Sequence, residues 1–485
     1  MKKIITIALV AGTLSVNAQL TKLVDFAGTT NGSGPRGSLM QASDGMLYGM
    51  TGAGGTGGAG TYGVLFQYNP TTNTYTKKLD FTGTYTNGSQ PQGSLMQASD
   101  GMLYGTTNAG GTNSYGVLFQ WNPTTSTYTT KFSFDGATNG AYPKGSLMQA
   151  SNGMLYGMTF NGGASSMGVL FQYNPSTSTY TKKLDFAGAT NGSAPYGSLM
   201  QASDGMLYGM TSGGGASGNG VLFQYNPTTN ILTNKLDFAG TTNGSSPQGS
   251  LMQASDGMLY GMTYNGGVGS CSPINGSGCG VLFQYNPSTS TYTKKLDFAG
   301  ATNGSAPYGD LMQASDGMLY GMTSADGAGT YGVLFQYNPS TSTYTDKYDF
   351  VGVINGRNPW GSLIQATDGM LYGMTNAGGT STVCTGGCGT LFKYGNGTMG
   401  IQQITNSNEV SIYPNPAKDV LNVEGLMLNG TNQITMYDML GNSVYHATFT
   451  TQHNTISVAD LAEGVYFINI KTEQGTTTKK IIINK

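Results

Sequence analysis

The chain has 485 residues, of which 9% are charged, and its formal net charge is -2. This balance argues against nucleic acid as a partner, because binding to a phosphate backbone depends on clusters of lysine and arginine. The 77 glycines are accompanied by 31 tyrosines, 18 phenylalanines and 25 methionines. These side chains supply enough apolar surface for a folded protein of two or three domains.

The first 18 residues have the pattern of a secretory signal peptide. Lys2 and Lys3 precede an apolar run over residues 4–10, and small residues end at Ala18. Positive charge, a short apolar segment and a small-residue cleavage site are the three parts of such a signal. We therefore expect residues 1–18 to be removed during export. No later segment approaches the roughly 20 apolar residues of a membrane-spanning helix, so the sequence predicts no such helix.

The four cysteines form two local pairs, Cys271 with Cys279 and Cys384 with Cys388, each in a loop rich in glycine and serine. Two disulfides suit an exported chain. A zinc site built from all four cysteines is the alternative. It is less favoured, because a whole repeat separates the pairs and neither pair has the usual two-residue spacing.

Residues 19–396 consist of one unit repeated seven times. The motif GMLYG recurs around seven tyrosines, at spacings of 56, 52, 52, 52, 60 and 52 residues: Tyr48, Tyr104, Tyr156, Tyr208, Tyr260, Tyr320 and Tyr372. A period near 50 residues without helical apolar spacing is typical of the blades of a β-propeller.

Each unit reads as four antiparallel strands. In the third unit we predict strands over 145–150, 154–159, 169–173 and 180–186, with a tight turn at 151–153. The turn follows from its Asn-Gly pair, and the third strand from alternating side chains that Asn and Pro terminate. In a propeller the first strand of such a unit would lie nearest the axis and the fourth at the rim.

The two ends of the repeat region predict how the ring closes. The last unit stops at residue 394 without a fourth strand, whereas residues 22–26 resemble a fourth strand without the three that should precede it. An N-terminal strand that completes the last blade removes an open sheet edge. The predicted fold is all-β: a seven-bladed propeller of four-stranded blades, closed by the N-terminal strand and followed by a small β-sandwich.

The segments DGMLYGMT, GVLFQYNP and LDFAG of these units resemble the GloVer tandem repeats of exported bacterial proteins. The resemblance covers residues 20–394 and implies a propeller. It implies no shared catalytic activity.

Composition changes after Gly397, where the glycine-rich repeats end. We expect a linker over 397–408 and a separate domain over 409–485. Strands predicted at 420–423, 434–437, 465–470 and 480–483 suggest a small β-sandwich.

Motifs in this last domain resemble a type IX secretion sorting domain, type A. They are YPNP from Tyr413, MYDMLGNSV from Met436, LAEGVYFINI from Leu461 and the terminal KKIII from Lys479. The resemblance implies a Bacteroidetes-type host and recognition by the type IX secretion machinery. It also implies that the protein ends outside the cell, either secreted or anchored on the outer membrane, after this domain is removed.

The repeat region offers little material for acid–base catalysis, since it contains neither histidine nor glutamate. Most of its aspartates occupy two positions of the repeat, each of which carries aspartate in six of the seven units. This recurrence favours structural roles in turns and loops. An enzyme, for example a glycan-acting hydrolase, would need nonrepeated acids such as Asp310 and Asp326 to converge on the channel. The sequence predicts no catalytic residues and no cofactor. The recurring methionines of the first unit, Met40, Met46 and Met50, favour packing between blades over copper binding, so no metal site is predicted.

One position does vary around the ring, the residue between Pro and Gly just before each first strand. It is occupied by Arg36, Gln92, Lys144, Tyr196, Gln248, Tyr308 and Trp360. We predict that this position faces the channel mouth, on the same surface as the loops bearing Phe160 and Tyr264.

Five residues of this set are the candidate ligand-binding residues: Arg36, Lys144, Tyr196, Tyr308 and Trp360. Tyr308 and Trp360 are expected to stack on a sugar, with Arg36 as a polar contact. Simple drift at a tolerant exposed position is the alternative. The sequence thus favours a non-catalytic recognition or adhesion module for a glycan or a surface protein, with a structural matrix protein as the second reading.

Overall fold

The computed structural model describes residues 19–58, 62–83, 87–269, 271, 278–395, 411–424, 432–438, 442–449, 451, 453–472 and 475–485. The predicted signal peptide and the predicted linker lie outside these residues. The chain divides into two compact units, Met1–Asn396 and Gly397–Lys485. In the described part of the chain, no helix is long and apolar enough to cross a membrane.

The first unit contains seven antiparallel sheets of four strands each. The first strands are β2 (Met40–Gln41), β6 (Met96–Gln97), β10 (Met148–Gln149), β14 (Met200–Gln201), β18 (Met252–Gln253), β22 (Met312–Gln313) and β26 (Ile364–Gln365). The second strands are β3 (Leu47–Thr51), β7 (Leu103–Thr107), β11 (Leu155–Thr159), β15 (Leu207–Thr211), β19 (Leu259–Thr263), β23 (Leu319–Met322) and β27 (Leu371–Thr375).

The third strands are β4 (Val64–Asn69), β8 (Val117–Asn122), β12 (Val169–Asn174), β16 (Val221–Asn226), β20 (Val281–Asn286), β24 (Val333–Asn338) and β28 (Thr390–Gly395). The fourth strands are β5 (Thr74–Asp80), β9 (Thr127–Ser133), β13 (Thr179–Asp185), β17 (Ile231–Asp237), β21 (Thr291–Asp297), β25 (Thr343–Asp349) and, at the N-terminus, β1 (Gln19–Asp25). We number the sheets as blades one to seven in the order of their first strands.

The N-terminal strand completes the last blade, as the sequence predicts. Blade seven has the strand order β1-β28-β27-β26. The amide of Phe26, just after β1, donates to the carbonyl of Gly389 at 3.0 Å, and Phe186 makes the same contact with Gly168 within blade three. The N-terminal strand therefore occupies the place of a fourth strand.

Contacts between neighbouring blades run around the whole circle near the axis. The amide just before each first strand donates to a side-chain oxygen of the next blade, through Ser38, Ser94, Ser146, Ser198, Ser250, Asp310 and Ser362 in turn, and Ser362 donates to Ser38. Blade seven therefore contacts blade one, and we name this closed set of seven contacts the inter-blade ring. A Cβ atom on Gly37 would lie 2.5 Å from the carbonyl oxygen of Gly93, so this close approach requires glycine.

These contacts explain why the first strands are shorter than predicted. The sequence predicts a strand over 145–150, whereas β10 spans only Met148–Gln149. Its N-terminal part belongs to the inter-blade ring, because the amide of Ser146 donates to Ser198 Oγ at 2.7 Å.

The core lies between blades. In one example, Tyr156 and Phe186 of blade three pack with Phe223 and Tyr225 of blade four. The rings of Phe186 and Phe223 are 5.6 Å apart. Burial of such aromatic surface is the main term that holds neighbouring blades together.

The methionines of the first unit pack in the same way. Met50 is buried, and Met40 and Met46 pack against the cluster between blades one and two. Their positions fit the packing role that the sequence favours.

The second unit is a sandwich of two sheets, with orders β29-β30-β33 and β32-β31-β34-β35. Its strands are β29 (Ser411–Tyr413), β30 (Val420–Glu424), β31 (Asn432–Tyr437), β32 (Ser443–Phe449), β33 (His453–Ser457), β34 (Gly464–Thr472) and β35 (Gly475–Ile483). Leu421 and Ile456 of one sheet share a core with Ile434, Ile468 and Ile481 of the other. Sequence reasoning found four of these strands and missed β29, β32 and β33.

Candidate functional site

The variable residues converge on the propeller axis. All of them line one cavity of about 60 Å³, together with the two residues that follow each of them, which are Gly-Ser in six blades and Gly-Asp in blade six: Arg36, Gln92, Lys144, Tyr196, Gln248, Tyr308 and Trp360. Each follows a proline, whose fixed φ helps to hold the chain as it enters the first strand. The structure therefore brings all five candidate ligand-binding residues together.

Trp360 lies between two of these neighbours. The ring of Tyr308 stacks on it with centroids 5.0 Å apart and planes inclined by 13°. The guanidinium carbon of Arg36 is 4.9 Å from the Trp360 centroid. The sequence predicts that Tyr308 and Trp360 stack on a sugar, whereas here they stack on each other.

A hydrogen-bond chain crosses the channel from blade to blade. Tyr308 donates its hydroxyl to that of Tyr196, and Tyr196 donates to Gln92 Oε1 at 3.4 Å. The rings of Tyr196 and Tyr308 meet edge to face at 5.3 Å. Burial is the main cause that raises the pKa of Tyr308 well above its usual range, and the neighbouring Tyr196 raises it further. The Tyr308 hydroxyl therefore stays protonated.

Lys144 forms the other cationic part of the site. Its Nζ atom lies 3.4 Å from the centroid of the Phe160 ring and 4.3 Å from that of Tyr196. Burial, aided by the charge of Arg36, lowers the pKa of Lys144 to about 8. The amine is therefore still mainly protonated at neutral pH, and its charge is held by aromatic faces.

Loop residues extend this surface outwards. Phe160 contacts Tyr196 at 5.7 Å, and Tyr264 contacts Tyr308 at the same centroid distance. We name the whole group the channel-mouth cluster: Arg36, Lys144, Phe160, Tyr196, Tyr264, Tyr308 and Trp360.

The cluster fills the channel mouth. The cavity of about 60 Å³ is far smaller than the roughly 300 to 1,000 Å³ of pockets that enclose small-molecule ligands. A ligand of sugar size therefore has to bind on the solvent side of the cluster or displace part of it.

Asp310 is the one acidic residue among those that line this cavity. It takes the place of serine in the inter-blade ring, where its carboxylate accepts the amide of Ser250 and its own amide donates to Ser362 Oγ at 2.6 Å. Burial of the carboxyl group in the channel wall raises the pKa of Asp310.

The recurring aspartates have structural partners. In the 1–2 turn of blade one, Asp44 accepts the amide of Met46 at 2.9 Å and the hydroxyl of Tyr48 at 2.8 Å. At the rim, Asp80 pairs with Lys77 at 2.9 Å and accepts the amide of Thr56 at 3.2 Å. Equivalent contacts recur in other blades, so these carboxylates hold turns and loops in place.

Asp326, the second acid required by the enzyme hypothesis, is not among the residues that line the central cavity. Its carboxylate accepts a hydrogen bond from Ser305 Oγ in a loop. The structure thus leaves Asp310 alone in the channel wall.

Both cysteine pairs form disulfides. Cys271 joins Cys279 and Cys384 joins Cys388, with Cα atoms 5.6 and 5.1 Å apart. Each bridge fixes a loop between the second and third strands of its blade. These loops emerge on the same face as the channel-mouth cluster.

The repeats match the Gloeobacter/Verrucomicrobia repeat over residues 10–153, 138–275 and 269–438. The chain belongs to this repeat family. Residues 411–484 match the secretion system C-terminal sorting domain. Both matches confirm the resemblances seen in the sequence, and no curated protein matches the chain.

Solved structures of low identity resemble this family member in fold. The extracellular domain of BT4673 from B. thetaiotaomicron matches with a TM-score of 0.53 and 12% identity, over 96% of this chain and 59% of that one. PorZ, a surface component of the type IX secretion system of Porphyromonas gingivalis, matches with a TM-score of 0.49 and 15% identity, over 95% and 61%. The chain thus spans about three fifths of the length of both.

A fungal alcohol oxidase of the AA5 family, solved in complex with copper, matches with a TM-score of 0.50 and 13% identity, over 96% of this chain and 99% of that one. At these identities the likeness concerns the fold alone. It includes both this oxidase and the extracellular domain of BT4673, so the fold alone does not indicate a function.

The sorting domain fixes where the protein goes. The type IX secretion machinery handles the chain through this domain, and the protein is exported to the cell surface or secreted.

Proposed function

We propose that the exported propeller is a non-catalytic recognition module that binds a negatively charged glycan at the channel-mouth cluster. One observation carries the proposal: the position between Pro and Gly, which varies between the repeats, gathers aromatic rings and two cations at a single surface. Aromatic faces and edges with a few charged groups are the usual means of sugar recognition.

The two cations of the cluster indicate that the ligand is negatively charged. Arg36 and Lys144 form no salt bridge among the residues that the structure describes, where the ion pairs involve Lys22, Lys77, Lys182 and Lys294. Both cations are only half-buried and rest against aromatic rings. A carboxylate or sulfate on a glycan would complement them, because charge-assisted hydrogen bonds to such groups are strong.

Three features support a binding role over catalysis. The aspartates of the turns and rims are engaged in hydrogen bonds and ion pairs, Asp310 and Asp326 have separate partners, and of these two acids only Asp310 lines the central cavity. Paired carboxylate catalysis needs two such groups within about 10 Å of each other, with room between them for the bond that is cleaved.

A structural role in a surface matrix is the second candidate. It is favoured by the regular inter-blade ring, in which six of the seven linking side chains are serines that make the same contact. Such regularity stabilises a propeller whatever it binds.

Binding of the full chain to a glycan array separates the two candidates. We expect binding to glycans with carboxylate or sulfate groups. It should be lost when Tyr308→Gln and Trp360→Gln are combined, because two other repeats show that glutamine fits this position. Ile231→Gln is the matched control, since Ile231 is 60% exposed at the start of a fourth strand, on the opposite face. Glycan binding that survives the double change, or no glycan binding at all, contradicts the proposal.

A further inference from the structure

A second cavity, of about 430 Å³, lies between blades six and seven, away from the propeller axis. It is lined by Tyr331 of blade six and by Val351, Val353, Arg357 and Gly386 of blade seven. Cavities of this size suit small organic molecules, whose binding pockets typically measure about 300 to 1,000 Å³.

The walls of this cavity depart from the repeat. The position of Val351 carries alanine, threonine or aspartate in the other units, that of Val353 carries alanine or threonine in most of them, and Ile354 beside it stands where they have threonine. Val351, Val353 and Ile354 are 45%, 67% and 71% exposed. Exposed apolar side chains grouped beside a cavity are typical of binding surfaces.

Arg357 is the fourth departure, since serine or alanine takes this position in the other units. Its guanidinium carbon lies 5.6 Å from the centroid of the Tyr331 ring. Its Nε atom is buried and has no hydrogen-bond partner among the residues that the structure describes. The residues that line the cavity include this one cation and no acid. A buried donor without an acceptor costs free energy that an incoming anion would recover.

The site is held in place before any ligand arrives. The Cys384–Cys388 disulfide fixes the loop that forms one wall. Gly386 of this loop lies against the guanidinium of Arg357, and a Cβ atom there would overlap its NH2 group. A preformed wall lowers the entropy cost of binding.

We propose that this cavity binds a small amphipathic carboxylate. The carboxylate accepts hydrogen bonds from Arg357, and the apolar body lies against Val351 and Val353. Either an aliphatic or an aromatic body satisfies this chemistry. The site goes beyond the glycan site proposed above and does not depend on it, because the two share no residue.

The test is calorimetric titration of the full chain with octanoate and 2-naphthoate, each beside its neutral amide. The carboxylates are expected to bind at least about tenfold more tightly than the amides, because the charge-assisted bond to Arg357 is lost in the amide. The tighter of the two carboxylates identifies the apolar body as aliphatic or aromatic.

Three variants test whether the carboxylate binds in this cavity. Arg357→Ser restores the residue of five other repeats and should weaken carboxylate binding by about tenfold or more. Val353→Thr changes a surface residue that folding does not require, and should weaken binding about threefold. Arg36→Gln, in the channel-mouth cluster, should leave it unchanged.

Equal carboxylate affinity in the chain and in both Arg357→Ser and Val353→Thr would overturn the proposal. The absence of any carboxylate binding below about 10 mM, which is a free energy of only about -2.7 kcal/mol, would do so as well. Failure of the glycan array would leave these results unaffected.

Discussion

Asp310 stands where the other six repeats carry a serine in the inter-blade ring. Its carboxylate accepts the same amide as those serines, but it does so as an acid enclosed in the channel wall. Burial favours the neutral form and so raises the pKa of Asp310. Asp310 therefore makes its contact in the inter-blade ring at the free-energy cost of a buried carboxylate, which serine does not have.

We predict that Asp310→Ser stabilises the propeller at neutral pH, by about 1 kcal/mol of unfolding free energy, because a serine hydroxyl can accept the same amide without a buried charge. The effect depends on pH in a defined direction. An acid whose pKa is raised on folding loses stability as the pH rises from its unfolded value near 4 through the folded value. The advantage of the variant should therefore grow with pH over this range.

Chemical denaturation of both proteins at several pH values measures this difference, with Ser250→Asp as the reverse change at the neighbouring ring position. An unfolding free energy that falls in Asp310→Ser at neutral pH would show that the carboxylate has a role serine cannot fill.

The sequence predicts where the variable residues lie but not how they contact each other. The Pro-X-Gly spacing correctly puts Tyr308 and Trp360 at the channel mouth. That they stack on each other depends on side-chain rotamers and on the distance between blades, which periodicity does not contain. Arg357 was missed, although a position-by-position comparison of the repeats shows that it stands where the other units have serine or alanine.

At the scale of single elements, β1 is the strand with the least local support, since its blade partners are more than 360 residues away in the chain. It nevertheless makes the contacts of any fourth strand. The ring of Phe26, which follows β1, lies 5.6 Å from that of Phe66 in blade one, and Phe26 is fully buried. The N-terminal segment is thus part of the core between blades seven and one.

We predict that Phe26→Ala lowers the unfolding free energy of the propeller by about 3 to 5 kcal/mol, as expected for a buried phenylalanine. Phe186→Ala is the internal control, because Phe186 occupies the same place inside the chain and lies 5.6 Å from Phe223. Denaturant unfolding of the two variants should give similar losses. A negligible loss for Phe26→Ala alone would mean that the N-terminal strand is not needed to hold the ring.

Strand existence was easier to predict from the sequence than strand length. The middle strands of each blade are almost wholly buried, and their apolar runs mark them clearly. The first strands are reduced to two residues because their preceding amides bond to the next blade. A pattern read within one repeat cannot reveal contacts made between repeats.

At the scale of the whole molecule, the chain combines a propeller with a domain that directs its export. The propeller is sevenfold in its packing and asymmetric in its surface. The inter-blade ring and the buried tyrosines recur in each blade, whereas the aromatic and cationic residues do not. Repetition explains the stability of the fold, and the departures from repetition are where we expect binding.

The two tryptophans of the chain allow a direct test of this account. Trp121 is buried, and tyrosine takes its place in all six other repeats. Trp121→Tyr therefore leaves Trp360, at the channel mouth, as the single tryptophan of the chain. The measurement is the fluorescence emission of this variant during titration with a glycan that the full chain binds on the array. We predict that the emission of Trp360 changes in proportion to binding measured by calorimetry. Saturating binding with unchanged Trp360 emission would show that the ligand binds elsewhere on the propeller, which would contradict the assignment of the channel-mouth cluster.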